Sequence, residues 1–194
     1  VWLPSNLRRR SAKYLIQHQA TDIIQCFPAD IDYQIFDVEK IYLKQSTRDR
    51  ATSRDYSFIR RRTNVDARSG EASGSSVYQL TLVTYIDGEM VEQKRIISAR
   101  EYQTAALHRD ESRHVVQHRR VSFLYAKQSF SIHIYQKPVD HLLILHAQVE
   151  AKKSEEEDSQ VTLPPFLPVE RLITNSVEDT KAFGAYSISL KEKS

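Results

Sequence analysis

The sequence predicts a mainly β (α+β) domain, an antiparallel eight-stranded barrel with a few flanking helices. The chain from residue 33 onward breaks into short runs dense in Tyr, Val, Ile, Phe and Thr, at 33–44, 56–63, 77–85, 90–98, 115–125, 130–135 and 142–151, the texture of half-buried strands. One clear helix interrupts them. Basic side chains recur at every second position inside these runs, so they share one face of each strand. Seven or eight sequential strands would leave long open edges unless the sheet closed on itself.

Taken in chain order, the segment RSAKYLIQHQATDIIQCF carries Tyr14, Leu15, Ile23, Ile24 and Phe27 at helical spacing, and Pro28 ends it; this predicts a linker helix within residues 1–27, ahead of a barrel domain at 28–194. Between the second and third strands lies DARSGEASGSS, a Gly/Ser-rich stretch with the composition of a mobile loop. Asp87-Gly88 in IDGEM predicts a hairpin turn. The helix at 98–108 starts at Ser98, with Glu101 three residues on completing a capping box. AKKSEEEDSQ reads as a solvated loop, and the prolines of LPPFLPVERLITN predict an extended packing segment.

Length and composition bound the class. A chain of 194 residues, 40% hydrophobic, can bury one proper core. The net charge of +3 conceals an uneven pattern: no acid precedes Asp22, whereas Glu155, Glu156, Glu157 and Asp158 form a run. The acid-free start has the composition of a transit peptide, but its apolar spacing points to structure instead. A single cysteine, Cys26, excludes an internal disulfide and a cysteine zinc site, and a reducing, intracellular and cytoplasmic setting fits it, with an organelle matrix as the alternative. No apolar stretch reaches the roughly 18 residues of a membrane-spanning helix. The seven histidines are scattered without metal-ligand spacing. Tyrosines at strand periodicity read as barrel packing, so nucleic acid is not an expected partner.

The most informative residues are two basic pairs, Arg60 and Arg62 in YSFIRRRT and His118 and Arg120 in VVQHRRVSFLY. Like charges about 4 Å apart repel by about 4 kcal/mol at an effective dielectric near 20. Such a face calls for facing carboxylates or a polyanionic ligand. Asp37 and Glu39 on the neighbouring strand are available to pair with Arg60 and Arg62 as a cross-strand ladder.

The ordered succession FDVEKIYL, YSFIRRRT, LTLVTY, MVEQKRIISAREY, VVQHRRVSFLYAKQSFSIHIYQKP and LLILHAQVEA resembles the CYTH domains, the triphosphate tunnel fold of thiamine triphosphatases and class IV adenylate cyclases. HRDESRHVVQHRRVSFLYAKQSFSIHIYQKP, followed by LPPFLPVERLIT, is similar to the CYTH-like half of the TRPL translocation defect family, which is associated with GTP and phosphoinositide binding in receptor trafficking. The resemblance covers roughly residues 28–190, and the chain carries no Walker-type phosphate loop.

That resemblance implies a barrel in which Arg and Lys grip phosphates while carboxylates hold Mg²⁺ or Mn²⁺. It places Asp37 and Glu39 at the two acid positions of the first strand, with Ile41 where lysine is expected, and it keeps Arg60 and Arg62 as a phosphate-gripping pair. Val83 replaces a lysine, Glu92 is followed by Lys94 in place of a second acid, and His118 with Arg120 match a Lys-x-Arg pair. Ser131 and His133 replace acids, and the last acid pair reads Gln148 then Glu150. The basic set survives better than the acidic set. The phosphate-binding expectation is therefore Arg60, Arg62, Lys94, His118 and Arg120, with no catalytic residue and no required cofactor. The ligand would be a phosphoinositide, polyphosphate or nucleotide, and the role recruitment or trafficking, through a peripheral membrane contact or protein partners. Two alternatives stand beside it. One is a Mg²⁺- or Mn²⁺-dependent triphosphate hydrolase using Asp37, Glu39, Glu92 and Glu150 as metal ligands; the other is a scaffold subunit.

Overall fold

A computed structural model describes residues 10–17, 23–45, 55–87, 89–149 and 161–192. Nine strands form one antiparallel sheet: β1 (Arg10–Ile16), β2 (Tyr33–Tyr42), β3 (Tyr56–Val65), β4 (Val77–Ile86), β5 (Glu89–Ile97), β6 (Val116–Tyr125), β7 (Gln128–Lys137), β8 (Leu143–Val149) and β9 (Val169–Ile173). Their order across the sheet is β5-β4-β3-β2-β6-β7-β8-β1-β9. The helices are short: α1 (Ala99–Ala106), α2 (Val177–Phe183) and α3 (Ala185–Ile188).

The sheet curls strongly. In a flat sheet β5 and β1 would lie seven strand steps apart, roughly 30 Å. Yet Lys13 of β1 feels the charge of Glu92 of β5, and Val83 of β4 shares an apolar cluster with Ile144 of β8. The result is an open tunnel: among the described residues no ladder joins the edge strands β5 and β9, so the expected eight-stranded closure is replaced by nine curled strands.

The leading helix expected over residues 1–27 is not formed by its described part. Residues Arg10–Ile16 are strand β1, laid between β8 and β9, and Ile23–Cys26 form one 3-10 turn. Alternation within AKYLI explains the difference: Lys13 lies level with His146 of β8 toward the tunnel, while Ala12, Tyr14 and Ile16 pack outside it.

The main apolar core lies outside the tunnel wall. Ile35, Val121, Phe123, Phe130, Ile132, Leu145 and Ala147 all sit on the outer face of β2 and β6–β8. The predicted proline-rich segment covers them, with Leu163, Phe166 and Leu167 in contact and Pro164 fully buried. Phe27 stands edge-on to Phe123 at 4.9 Å. Moving this core outside frees the inner face for polar side chains.

The helix cap and the hairpin turn appear where expected, and the Gly/Ser-rich stretch forms a hydrogen-bonded loop. Ser98 Oγ accepts from Glu101 N–H at 3.2 Å while Glu101 Oε2 accepts from Ser98 N–H at 2.7 Å, closing the capping box of α1. In the Gly/Ser-rich loop Asp66 Oδ1 accepts from the backbone N–H groups of Arg68 and Ser69. Asp87 opens the β4–β5 turn with φ of 52°. The acidic run at 155–158 and Glu150 lie outside the described residues.

Candidate functional site: a cationic tunnel lining

Residues that face one another across adjacent antiparallel strands share a face. The ladders therefore decide which charges meet. Lys40 lies opposite Arg60, and Val38 opposite both Arg62 and His118. Arg120 is opposite Phe36 and His133, His133 opposite Ile144, and Ser131 opposite His146, which is level with Lys13. On the far side Thr81 is level with Lys94 and Val83 with Glu92. Lys13, Lys40, Arg60, Arg62, Lys94 and Arg120 consequently line one inner surface.

Of the expected phosphate-binding residues, Arg60, Arg62, Lys94, His118 and Arg120 are thus brought onto one face. Of the expected metal ligands, Glu92 shares that face and Glu150 lies outside the described residues, but the other two do not join it. Asp37 and Glu39 point to the outer face: Arg119 Nε donates to Asp37 Oδ1 at 2.9 Å, and Arg61 Nη2 lies 3.3 Å from Glu39 Oε1. Tyr102 Oη of α1 and Gln117 Nε2 also donate to Glu39, at 2.9 and 3.2 Å. The anticipated ladder of Asp37 and Glu39 with Arg60 and Arg62 is in fact a ladder with Arg119 and Arg61, beside an outer cleft of about 200 Å³.

The sequence comparison was therefore out of register by one residue on β2. Phe36 and Val38 occupy the inner positions where the resemblance expects acids, and Lys40 occupies the position where it expects lysine. Among the described strand residues the inner face carries one carboxylate, Glu92, held by Lys94 Nζ at 2.6 Å. Magnesium and manganese require several oxygen ligands. One carboxylate already bound to an ammonium, among so many cations, does not fit either ion, and no group of metal-binding side chains occurs among the described residues.

What the tunnel does hold is unneutralised positive charge. Burial and then the neighbouring Arg60 bring Lys40 down to about 8, with Glu92 only partly opposing. Burial, Arg120 and Arg62 bring Arg60 down to about 10. Arg120 is lowered by burial and by Arg62, and Lys13 by burial. Aromatic faces supply some compensation: Lys40 Nζ stands 4.4 Å from the Phe58 ring centre and the Arg62 guanidinium 4.8 Å from that of Phe36. Arg120 Nε donates to Ser122 Oγ at 3.0 Å.

Beside these cations three imidazoles stack. His118 and His133 have ring centres 4.5 Å apart at 21°, and His133 and His146 4.0 Å apart at 28°. Burial, then surrounding positive charge, hold His118 and His146 down to about 3 and His133 well below the ordinary histidine value. The column is neutral. Among the described residues His118 Nδ1 and His146 Nε2 are buried without a hydrogen-bond partner, as are Gln79 Oε1 and Thr81 Oγ1 across the tunnel.

One end of the tunnel is stoppered. Phe183, Tyr186 and Ile188 from α2 and α3 pack onto the inward-facing Tyr42, Phe58, Val83, Val116, Tyr135 and Ile144. Tyr186 stacks on Tyr56 at 4.1 Å, and the Arg113 guanidinium lies 3.5 Å from the Tyr186 ring centre while donating to the Tyr186 carbonyl. Arg62 and Arg120 lie toward the opposite end. Sequence reasoning missed Lys13, Lys40, His133 and His146 as members of the site. Lys40 shares strand parity with Val38 and was readable once the register was known.

Comparison with models of protein families gives no match, and neither does comparison with curated proteins. Solved structures do match. The inorganic triphosphatase NE1496 is 17% identical, with 97% of this chain and 98% of that one covered, at a TM-score of 0.55. A second structure of NE1496, described as a hypothetical protein, is 18% identical, with 94% and 99% covered, at 0.52. The PH1819 protein from Pyrococcus horikoshii is 16% identical over 74% of this chain and 78% of that one, at 0.51. The likeness is one of fold, and it agrees with the curled nine-stranded sheet: the chain has the CYTH-like, triphosphate-tunnel fold.

Proposed function

We propose that this protein binds a phosphorylated anion in the tunnel without a divalent metal and without turning it over. The observation that carries the reading is the register: Lys13, Lys40, Arg60, Arg62, Lys94 and Arg120 share the inner face with Glu92 as its one carboxylate among the described strand residues. Guanidinium groups hold phosphate oxygens through paired hydrogen bonds. An anion would relieve the mutual repulsion that depresses Lys40 and Arg60. Hydrolysis in a metal-dependent triphosphatase needs the ion to neutralise developing charge and to orient water, and among the described residues the inner donor set does not supply its ligands.

Within this class, a phosphoinositide head group has one added support. Val77, Ile96 and Leu124 share the inner register near the open end and are 40%, 58% and 68% exposed. An apolar rim beside cations suits a phosphate carried on a lipid. Among the described residues no helix is long and apolar enough to cross a membrane, so contact would be peripheral. A role in recruitment or trafficking, akin to the TRPL translocation defect family, follows from that reading, and a nucleotide or polyphosphate is the competing ligand.

The deciding experiment compares thermal shifts produced by tripolyphosphate, GTP and a soluble inositol trisphosphate in EDTA, alongside flotation with phosphoinositide vesicles. Stabilisation by at least one anion supports binding. No shift from any of them, with no vesicle binding, leaves the scaffold alternative in its place.

A further inference from the structure

Resting on that binding reading, we propose that the stacked column His118–His133–His146 is a proton acceptor coupled to the anion pocket: a polyanion entering beside Arg60, Arg62 and Arg120 is bound together with protons taken up by the imidazoles.

The geometry supplies the argument. The column runs diagonally across three adjacent strands, β6, β7 and β8: His118 lies two residues from Arg120 on β6, and His133 lies opposite Arg120. His118 is only 5% exposed, and among the described residues its Nδ1 has no hydrogen-bond partner, nor has His146 Nε2. Each of these nitrogens can gain a proton and become a donor. The groups facing the column from each packed strand are charged mostly one way. Lys13 acts on it from β1, Lys40 from β2, Arg60 from β3 and Arg120 from β6, while Lys94 and Glu92 of β5 act on Lys40. From β7 the neighbour is the Tyr135 ring, 5.3 Å from His118.

Burial first, and the positive surroundings after it, keep the imidazoles neutral in the free protein. An anion among those cations offsets the positive field, so the same rings gain affinity for protons. By linkage, whatever takes up protons on binding must bind more tightly as pH falls. The pocket then senses acidity and ligand jointly, a property that the metal-binding carboxylates of a tunnel enzyme would not confer.

The test is calorimetric titration of cyclic trimetaphosphate, whose acid groups are all strong, so every proton exchanged belongs to the protein. Heats are measured at about pH 6.5 in two buffers of different ionisation enthalpy, and affinities followed across roughly pH 6–7.5, a window in which ordinary histidines titrate. Proton uptake near one per anion is expected, with affinity rising about tenfold per unit fall in pH. His118→Gln and His146→Gln are each expected to bind more weakly at the acid end and to flatten the profile, whereas replacing the exposed His108, His114 and His141 leaves it unchanged. Binding with no net proton exchange and a flat profile in the unmodified protein overturns the coupling and leaves the anion reading standing. An uptake that persists in both His118→Gln and His146→Gln also overturns it, and absence of binding at every pH overturns both.

Discussion

Asp37 and Arg119 form a two-pronged pair on the outer wall of the tunnel, Nε to Oδ1 at 2.9 Å and Nη2 to Oδ2 at 3.3 Å. Their chain neighbours Phe36 and Arg120 face the other way, one across from the other on the inner wall. A single step along each strand thus separates structural charge from ligand-binding charge.

That separation predicts a contrast between neighbours. Asp37→Asn is expected to leave anion affinity unchanged within about twofold and to lower stability by about 0.2–1 kcal/mol, as for partly exposed ion pairs. Arg120→Ala is expected to weaken binding by at least about tenfold, since a charge-assisted hydrogen bond contributes roughly 1.5–3 kcal/mol. Calorimetry on the two variants, with chemical denaturation as the stability reading, checks both. Equal loss of affinity in the two variants would place Asp37 in the site.

The buried histidines set the acid limit of the free protein. Their folded-state values lie below the ordinary one near 6.5, so the unfolded chain binds more protons in acid. Stability is then complete above about pH 6.5 and declines as pH falls toward about 3, by about 1.4 kcal/mol per pH unit for each imidazole that stays neutral. Melting temperatures measured from pH 7 down to 4 should fall steeply, and His118→Gln with His146→Gln should reduce that slope. A slope that those replacements leave unaltered would assign acid lability elsewhere.

The β6–β7 hairpin carries a correctable local strain. Tyr125 lies opposite Gln128, and the two residues between, Ala126 and Lys127, have φ of 48° and 64°. That turn favours Asn and Gly. Lys127→Gly, or Ala126→Asn with Lys127→Gly, is expected to raise stability by about 1 kcal/mol per relieved residue. The check is the denaturation midpoint; a lower midpoint would mean that the turn tolerates its side chains at no cost.

How much of this was legible in the sequence follows from which signals are local. The helix cap at Ser98, the hairpin at Asp87 and the basic pair on β3 each depend on residues within a few positions, and all three appear as read. Strand β1 does not, because its identity depends on pairing with β8 and β9 from the other end of the chain, while AKYLIQ alone fits a helix as well. β2 was misread for a different reason. Both of its faces carry charge, Asp37 and Glu39 outward and Lys40 inward, so periodicity alone could not say which set faces the tunnel. The C-terminal stopper left no simple periodic signal: α2 is held by Asp179, which accepts from Arg171 at 2.7 Å and from Thr174 N–H at 2.7 Å.

Metal dependence is the most direct discriminator. Tripolyphosphate is titrated into chelator-treated protein, first in EDTA and then with Mg²⁺ or Mn²⁺, while released phosphate is assayed in parallel. The inner lining of Lys13, Lys40, Arg60, Arg62, Lys94 and Arg120 predicts binding in EDTA, abolished or weakened by at least about a hundredfold in Arg60→Ala with Arg62→Ala, and no metal-stimulated phosphate release. Binding that appears only with Mg²⁺ or Mn²⁺, accompanied by phosphate release, would contradict it and establish a metal-dependent triphosphatase instead.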